Sequence, residues 1–321
     1  MIKVAVDAMG GDHAPSAVVE GAVRAAREFD GQFGVILTGP VDLIQAELDS
    51  LDYVGDSIEI VNAPEIVGMD ESPASILKTK PNSGLVKCVT LQKQGVAQAS
   101  VSAGNSGAMM ATCLMTLGRI PGVSRPAIAV LAPSATKRYI MLDCGANVDE
   151  KPQTLFDFAI CGKVFAEQVL HRENPTIGLL NIGEEAKKGT EVLQETYKLL
   201  KESELNFIGN IEGRGIIQGE ADVIVTSGAV GNVALKMMEG FYALHKELFG
   251  DIDTPEGHRF STEWNYENHG GAMLLGLNGT GIISHGSSNS EAIKVAIKTA
   301  ADFAEAKVSE NIAATLTKDN A

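Results

Sequence analysis

IKVAVDAMGGDHAPSAVVEGAVRAAREF, residues 2–29, carries the pattern that decides the fold. Its first seven residues are an apolar, β-branched run ending at Asp7 and Ala8. Two glycines follow, and then an alternation of small, apolar and charged residues at helical spacing. A strand buried on both faces reads as such a continuous apolar run. The same grammar returns along the chain. FGVILTG (33–39) leads into PVDLIQAELDSL, QASVSA (98–103) into GNSGAMMATCLMTLG, and TIGLLNIG (176–183) into EEAKKGTEVLQETYKLLKE. ADVIVTSG (221–228) leads into AVGNVALKMMEGFYALHKELFG, and GIISHG (281–286) into SSNSEAIKVAIKTAADFAEAK. YIMLDCG (139–145) precedes a helix expected at about Pro152–His171. Strands alternating with helices predict an α/β protein, a mostly parallel sheet with helices on both faces. Ser288 with Glu291 three residues later reads as a capping signal for the last of these helices.

The 321 residues suit one large α/β domain over 1–308, with room for two lobes around one cleft, and a fraying tail over 309–321. The stretch 249–271 is the least regular and holds the lone Trp264; a helical excursion is expected there. Lys and Arg number 26 against 41 Asp and Glu, a formal charge of −15, which argues against nucleic acid and against broad adsorption on anionic lipid. Four scattered cysteines, with no CxxC and no zinc-ligand spacing, read as reduced thiols. The first residues lack the long apolar region of a signal peptide, and no run approaches 18 apolar residues. A cytoplasmic protein is expected.

Ligands of open α/β sheets bind beyond the carboxyl ends of strands, where glycines let amides approach and helix starts add positive potential. An anion, most simply phosphate, is the expected guest. DAMGGDHAP (7–15) places Gly11, Asp12 and His13 at such an end; SAGNSGA (102–108) places Asn105 and Ser106 there. Asn105 and Ser106 read equally well as ordinary caps. NIGEEAKKGT (181–190) offers Asn181, Lys187 and Lys188, the lysines expected in the first turns of a helix. It is not a Walker A motif, because Lys188 precedes Gly189. A solvated charge cluster is the bland alternative. DCGANVD (143–149) contributes Asp143 and Asn147, TSGAVGNVALK (226–236) Asn232 and Lys236, and SHGSSN (284–289) His285 and Ser287. Cys144 reads better as a buried small hydrophobe than as a nucleophile. No GxGxxG opens the first crossover, and neither HExxH nor GxSxG occurs, so a nicotinamide, zinc-hydrolase or serine-hydrolase site is poorly supported.

VDAMGGDHAP, SILKTK (75–80), VSAGNSGA, GRIPGVSRPAIA, LDCGANVD, GLLNIGEEAKKG, FIGNIEGR (207–214), GNVALKMMEG and LLGLNGTGIISHGSSN stand in an order and spacing that resemble the bacterial phosphate acyltransferase family, PlsX, from Ile2 to about Ala306. The resemblance implies a fold similar to isocitrate dehydrogenase and phosphotransacetylase. It implies conversion of acyl-acyl carrier protein and inorganic phosphate to acyl phosphate and free carrier protein, feeding a glycerol-3-phosphate acyltransferase in phospholipid synthesis. It also implies a homodimer able to lodge at the inner face of the membrane. The chain departs from the family at SGAVGN (227–232), where an Asp, an aromatic and a Thr commonly precede the GN, and at Cys144, commonly aliphatic.

On this reading His13, Lys187 and Asn232 are the catalytic candidates. Gly11, Asp12, Asn105, Ser106, Asn181 and Lys188 bind phosphate, and Lys78, Asp143, Asn147, Lys236, His285 and Ser287 hold the remaining substrate. Arg119 and Arg125, with Lys78 and Lys80, would meet the acidic carrier protein. Phosphate attacks the thioester directly, without an acyl-enzyme, and no cofactor or metal is expected. The rivals are a phosphotransacetylase-like enzyme using acyl-CoA, a decarboxylating dehydrogenase of the same fold, and a non-enzymatic scaffold for lipid enzymes.

Overall fold

Val35, Ile36 and Leu37 are all buried in β2 (Phe33–Gly39), which pairs in parallel with β1 (Ile2–Asp7) across α1 (Ser16–Glu28). The computed structural model describes residues 1–250 and 252–319. The chain continues through α2 (Val41–Ser50), β3 (Ile58–Asn62), α3 (Ile76–Thr79), α4 (Gly84–Lys93), β4 (Ala99–Ser102) and α5 (Ser106–Leu117). Then come β5 (Ala127–Pro133), β6 (Arg138–Leu142), α6 (Pro152–Gln168), β7 (Ile177–Leu180), α7 (Glu191–Glu202), β8 (Phe207–Ile211), α8 (Gly213–Gln218), β9 (Val223–Val225), α9 (Gly228–Phe249) and α10 (Pro255–Glu263). β10 (Ala272–Leu275), β11 (Thr280–Ile283), α11 (Ser290–Glu305) and α12 (Val308–Asp319) complete it.

Two compact units result. The first comprises residues 1–118 and 267–307, the second 119–266 and 308–321. Within the first, the strands run β3-β2-β1-β4-β11-β10, parallel except for the β10–β11 pair. Within the second they run β5-β6-β9-β7-β8, parallel except for β5–β6. Helices are pressed close. A Cβ on Gly21 of α1 would lie 2.6 Å from Cβ of Ile293 on α11, and one on Gly162 of α6 would lie 2.4 Å from Val223 Cγ1 on β9. Both helices therefore carry glycine where they cross a neighbour.

Three expectations are revised. Of the expected fraying tail over 309–321, the described residues 309–319 are helix: α12 buries Val308, Ile312 and Leu316, one side chain per turn, and packs on α6. Asn320 and Ala321 lie outside the described residues, as does Asp251 in the expected excursion. Lys187 and Lys188 precede α7 instead of opening it, because Gly189 turns the chain at φ +83° and Thr190 caps the helix by accepting from Leu193 N. The cap of α11 is Asn289, accepting from Ala292 N at 2.9 Å, one residue beyond Ser288.

The excursion is a helical hairpin. Phe260 of α10 packs against Tyr242 and His245 of α9, with ring centroids 6.0 and 4.4 Å apart, and stacks on Trp264 at 5.4 Å. α9 also carries Val230, Val233, Met237, Phe241, Leu244 and Leu248, spaced three and four apart and each more than half exposed. Among the described residues no helix is long and apolar enough to cross a membrane.

At the amino ends of the second unit's strands, Asp222 accepts from Lys137 Nζ at 2.7 Å and from Thr176 N and Oγ1 at 2.9 and 2.8 Å. Arg172 Nε lies 3.7 Å away. Burial opposes ionisation of this carboxyl, but the Lys137 and Thr176 bonds outweigh it and hold the group below the usual aspartate range. A depressed carboxyl stabilises the fold above its unfolded pKa of about 3.9, and that contribution fades as pH falls through the lower folded value. Asp222→Asn should therefore cost about 2 kcal/mol at pH 7, the scale of hydrogen bonds to a charged group. In denaturant titrations the difference from wild type should shrink below about pH 4. A gap equally wide at pH 3 and pH 7 would contradict the assignment.

Candidate active site

In the first unit the carboxyl ends of β1, β4 and β11 converge. Gly11, at φ +109°, brings its turn against the β11 loop: Asp12 N donates to Gly286 O at 2.7 Å, and a Cβ on Gly11 would meet Gly286 O at 3.1 Å and Ala103 Cβ at 3.3 Å. Ser284 N donates to Ser102 O at 3.0 Å, tying the ends of β11 and β4. His13 and Ser106 are exposed. His285 Nδ1 lies 2.7 Å from Ser287 Oγ and accepts from Ser287 N at 3.2 Å, so that nitrogen serves its own turn.

Asn105 plays a different part from the one expected. Its Oδ1 caps α5 by accepting from Ala108 N at 2.9 Å, while Nδ2 donates to Met69 O and Glu71 O, both at 3.0 Å. Both N–H groups are used, so the side chain has no donor left for an anion. What this segment presents instead is the exposed Ser106 hydroxyl and the amides of Ser106 and Gly107, which have no intrahelical acceptor. The strap held by Asn105 lies over the same turn, where a Cβ on Gly107 would meet Pro73 Cγ at 2.7 Å. Lys80 on that strap is paired with Glu71; Lys78 of α3 is exposed.

In the second unit Asp143 is fully buried and accepts four bonds: Ile128 N at 2.9 Å, Ala146 N at 3.1 Å, Asn147 N at 2.8 Å and Asn147 Nδ2 at 2.9 Å. Burial pushes its pKa up and these bonds pull it back. Asn147 Nδ2 also donates to Pro126 O at 2.9 Å. The pair thus builds the 143–150 turn, and neither side chain is free for substrate. α9 starts hard against that turn. Gly228 N donates to Glu150 Oε1 at 2.6 Å, and a Cβ on Gly231 would lie 1.9 Å from Asp143 O. Asn232 is exposed on the next turn position, beside Gly145. Lys236 is paired with Glu239 at 2.8 Å.

The lysine loop is held by main chain and amides. Asn181 Oδ1 accepts from Ile182 N at 2.8 Å and its Nδ2 donates to Lys188 O at 3.1 Å; Asn210 Nδ2 donates to Glu185 O at 2.9 Å. Asn181 is a loop brace. Lys187 and Lys188 are exposed, and the nearest carboxylate to Lys188 is Glu185 at 4.0 Å. Arg119 donates to Ser124 O and Val123 O, curling its own turn, and Arg125 is exposed.

All four thiols are buried: Cys88 and Cys113 in the first unit, Cys144 and Cys161 in the second. Burial raises the Cys144 pKa far above a free thiol, with the Asp143 charge adding to it, which makes it a poor nucleophile. Among the described residues no group of three or more His, Cys, Asp or Glu is placed to hold a metal.

The mostly parallel α/β fold is shared with solved phosphotransacylases. A phosphotransacetylase from Streptococcus pyogenes superposes with a TM-score of 0.64 at 20% identity, covering 95% of this chain and 94% of that one. A branched-chain phosphotransacylase from Enterococcus faecalis gives 0.62 at 16%, covering 95% and 99%. At such identities the likeness shows the fold alone. Sequence similarity shows more. Residues 2–311 match the family described as fatty acid synthesis protein. The phosphate acyltransferase of Desulforamulus reducens is 45% identical over 95% of this chain and 94% of its own length. That of Trichlorobacter lovleyi is 44% identical over 99% and 95%. The chain belongs to this family, the phosphate acyltransferases, and is an enzyme.

Proposed function

We propose that the enzyme transfers the acyl group of acyl-acyl carrier protein to inorganic phosphate. A phosphate oxygen attacks the thioester carbonyl, the carbon–sulfur bond breaks, and the thiol leaves with a proton to give acyl phosphate and free carrier protein. Phosphate near neutral pH needs no strong base, and a phosphopantetheine thiol, with a pKa near the ~8.5 of cysteine, needs little acid. The task is to position the anion and keep water from the product. The observation that carries the reading is the open start of α5, with the Ser106 hydroxyl and two unclaimed amides at the carboxyl end of β4. His13, exposed on the turn after β1 in the same unit, can add a donor. Lys187, Lys188 and Asn232, all exposed in the second unit, are proposed as further sources of positive charge and of a hydrogen-bond donor. The buried, protonated Cys144 supports direct transfer without an acyl-enzyme.

Arg125 and Lys78, exposed cations, are the residues offered to the acidic carrier protein. The apolar stripe on α9 supports a homodimer, since it repeats at the spacing of a helix–helix seam. A place in the cytoplasm with peripheral membrane contact, and delivery of acyl phosphate to a glycerol-3-phosphate acyltransferase in phospholipid synthesis, complete the reading.

The test is release of free thiol from acyl-acyl carrier protein with and without phosphate, beside acyl-CoA of the same chain length. Phosphate-dependent release, faster with the carrier protein, is expected. Equal or faster release from acyl-CoA would favour a phosphotransacetylase-like enzyme, and no phosphate dependence would overturn the proposal.

A further inference from the structure

Asp7 ends β1 and is 4% exposed. Hydroxyl, thiol and main chain surround it. Ser102 of β4 donates its hydroxyl to Oδ2 at 2.8 Å, and Met9 N donates to Oδ1 at 3.3 Å. From α4 come Gly84 and the thiol of Cys88; from β2 comes Thr38, whose hydroxyl lies 3.1 Å from Cys88 Sγ; Cys113 of α5 lies close enough to raise the Cys88 pKa. Both thiols are held neutral by burial. Asp12 and His13, the charged or titratable groups of the same turn, are exposed.

The packing around this carboxyl leaves no room for a side chain. A Cβ on Gly10 would lie 2.8 Å from both Asp7 Oδ2 and Ser102 Oγ and 2.7 Å from Gly104 N, and one on Gly84 would lie 2.4 Å from Asp7 Oδ1. Three segments therefore close on one acid: the turn after β1, the turn after β4 and the start of α4. Ser102 Oγ, while donating to Asp7, accepts from Gly104 N at 3.1 Å. Gly104 is two residues before α5, whose first amides are the anion-facing groups of the reading above.

We propose that Asp7 is a positioning residue: through Ser102 and the Gly104 amide it holds the turn that presents the Ser106 and Gly107 amides, and its ionisation sets how well that turn receives phosphate. The inference rests on the proposed function. Burial raises the Asp7 pKa to about 6, against the pull of the Ser102 and Met9 bonds, so the group changes charge just below neutrality. The ionised form takes a charge-assisted bond from Ser102; protonation replaces it with a neutral bond roughly half as strong. The hold is thus firm above pH 6 and relaxes below it.

The experiment measures KM for phosphate, KM for acyl donor and kcat between pH 5 and 8 for wild type, Asp7→Asn and Ser102→Ala. Dividing one profile by another cancels the titration of phosphate itself. At pH 7.5 both variants should show KM for phosphate raised about tenfold, the size of one lost charge-assisted bond, with KM for acyl donor within about twofold. As pH falls through 6 the wild-type advantage should shrink, to nearly none over Asp7→Asn and to the share of the neutral bond over Ser102→Ala. Variant profiles parallel to wild type, or equal changes in both KM values, would overturn the proposal. Hydrogen exchange on the wild-type protein keeps the question open to test should the variants fail to fold. Corrected for intrinsic rates, the hydrogen-bonded amides of Gly104 and Ala108 should exchange several-fold faster at pH 5 than at pH 7.5, and equal protection would sink the idea. Wild type lacking phosphate-dependent thiol release at every pH would instead refute the functional reading, with the exchange result still deciding the hold of Asp7 on its turn.

Discussion

On the proposed function, Lys187→Ala combined with Lys188→Ala should lower kcat/KM for phosphate about 100- to 1,000-fold, the scale of losing a donor to developing charge. The melting temperature should hardly move. Both ammonium groups are exposed, and the ion pair that Lys188 makes with Glu185 is 4.0 Å long. The loop itself is built by Asn181, Asn210, Gly189 and the Thr190 cap, none of which the variant touches. Surface substitutions of this sort change stability by about 0.5 kcal/mol or less. Replacing both lysines by arginine should restore part of the rate, because the charge returns in a different shape. Thiol release checks the prediction directly; a double-alanine variant keeping more than half the wild-type kcat/KM would remove the lysine loop from the mechanism.

Gly231→Ala should destabilise the second unit by about 3 kcal/mol, the upper range for overpacking. The methyl group would lie 1.9 Å from Asp143 O and 2.8 Å from Thr226 Cγ2. The nearest obstacle is main chain, fixed by the four bonds that Asp143 accepts, so α9 itself must move. A fall in Tm of roughly 10 °C is expected for a unit of this size. Gly240→Ala in the same helix is the control. Nothing lies within 4 Å of its Cβ position, and alanine there should stabilise by about 0.5 kcal/mol or more through helix propensity. Thermal melts in which the two variants behave alike would show that helix propensity, and not the contact with the 143–150 turn, decides.

The alternation of strand and helix was legible wherever strands are buried on both faces. β2, β9 and β11 announce themselves as apolar runs, and β1 as one interrupted only by Lys3 before its terminal Asp7. β3 and β8 do not, because they keep partly exposed residues such as Glu59 and Ile208 and so lack a continuous run. α12 was hidden by the sparseness of its apolar stripe: Val308, Ile312 and Leu316 sit among Ser, Asn, Ala and Thr, and one apolar residue per turn looks like a tail. The candidate site was legible as a set of segments, less so as a set of side chains. Asn105, Asp143, Asn147 and Asn181 have the chemistry of ligand donors, but the same chemistry caps helices and braces turns, and here it is spent on main chain. Letters cannot separate the two uses, because both need a short polar side chain next to a glycine. Asp7 was visible only as the end of a strand. Its role depends on burial and on the approach of Gly84 from far along the chain, which no local pattern announces.

The enclosure of the four thiols turns the protein into its own reporter. A maleimide reagent reaches none of them until the surrounding structure opens, so the speed of labelling counts openings. Because two thiols belong to each unit, mass spectrometry of the tagged peptides times the breathing of the units separately, in one tube and without any engineered probe.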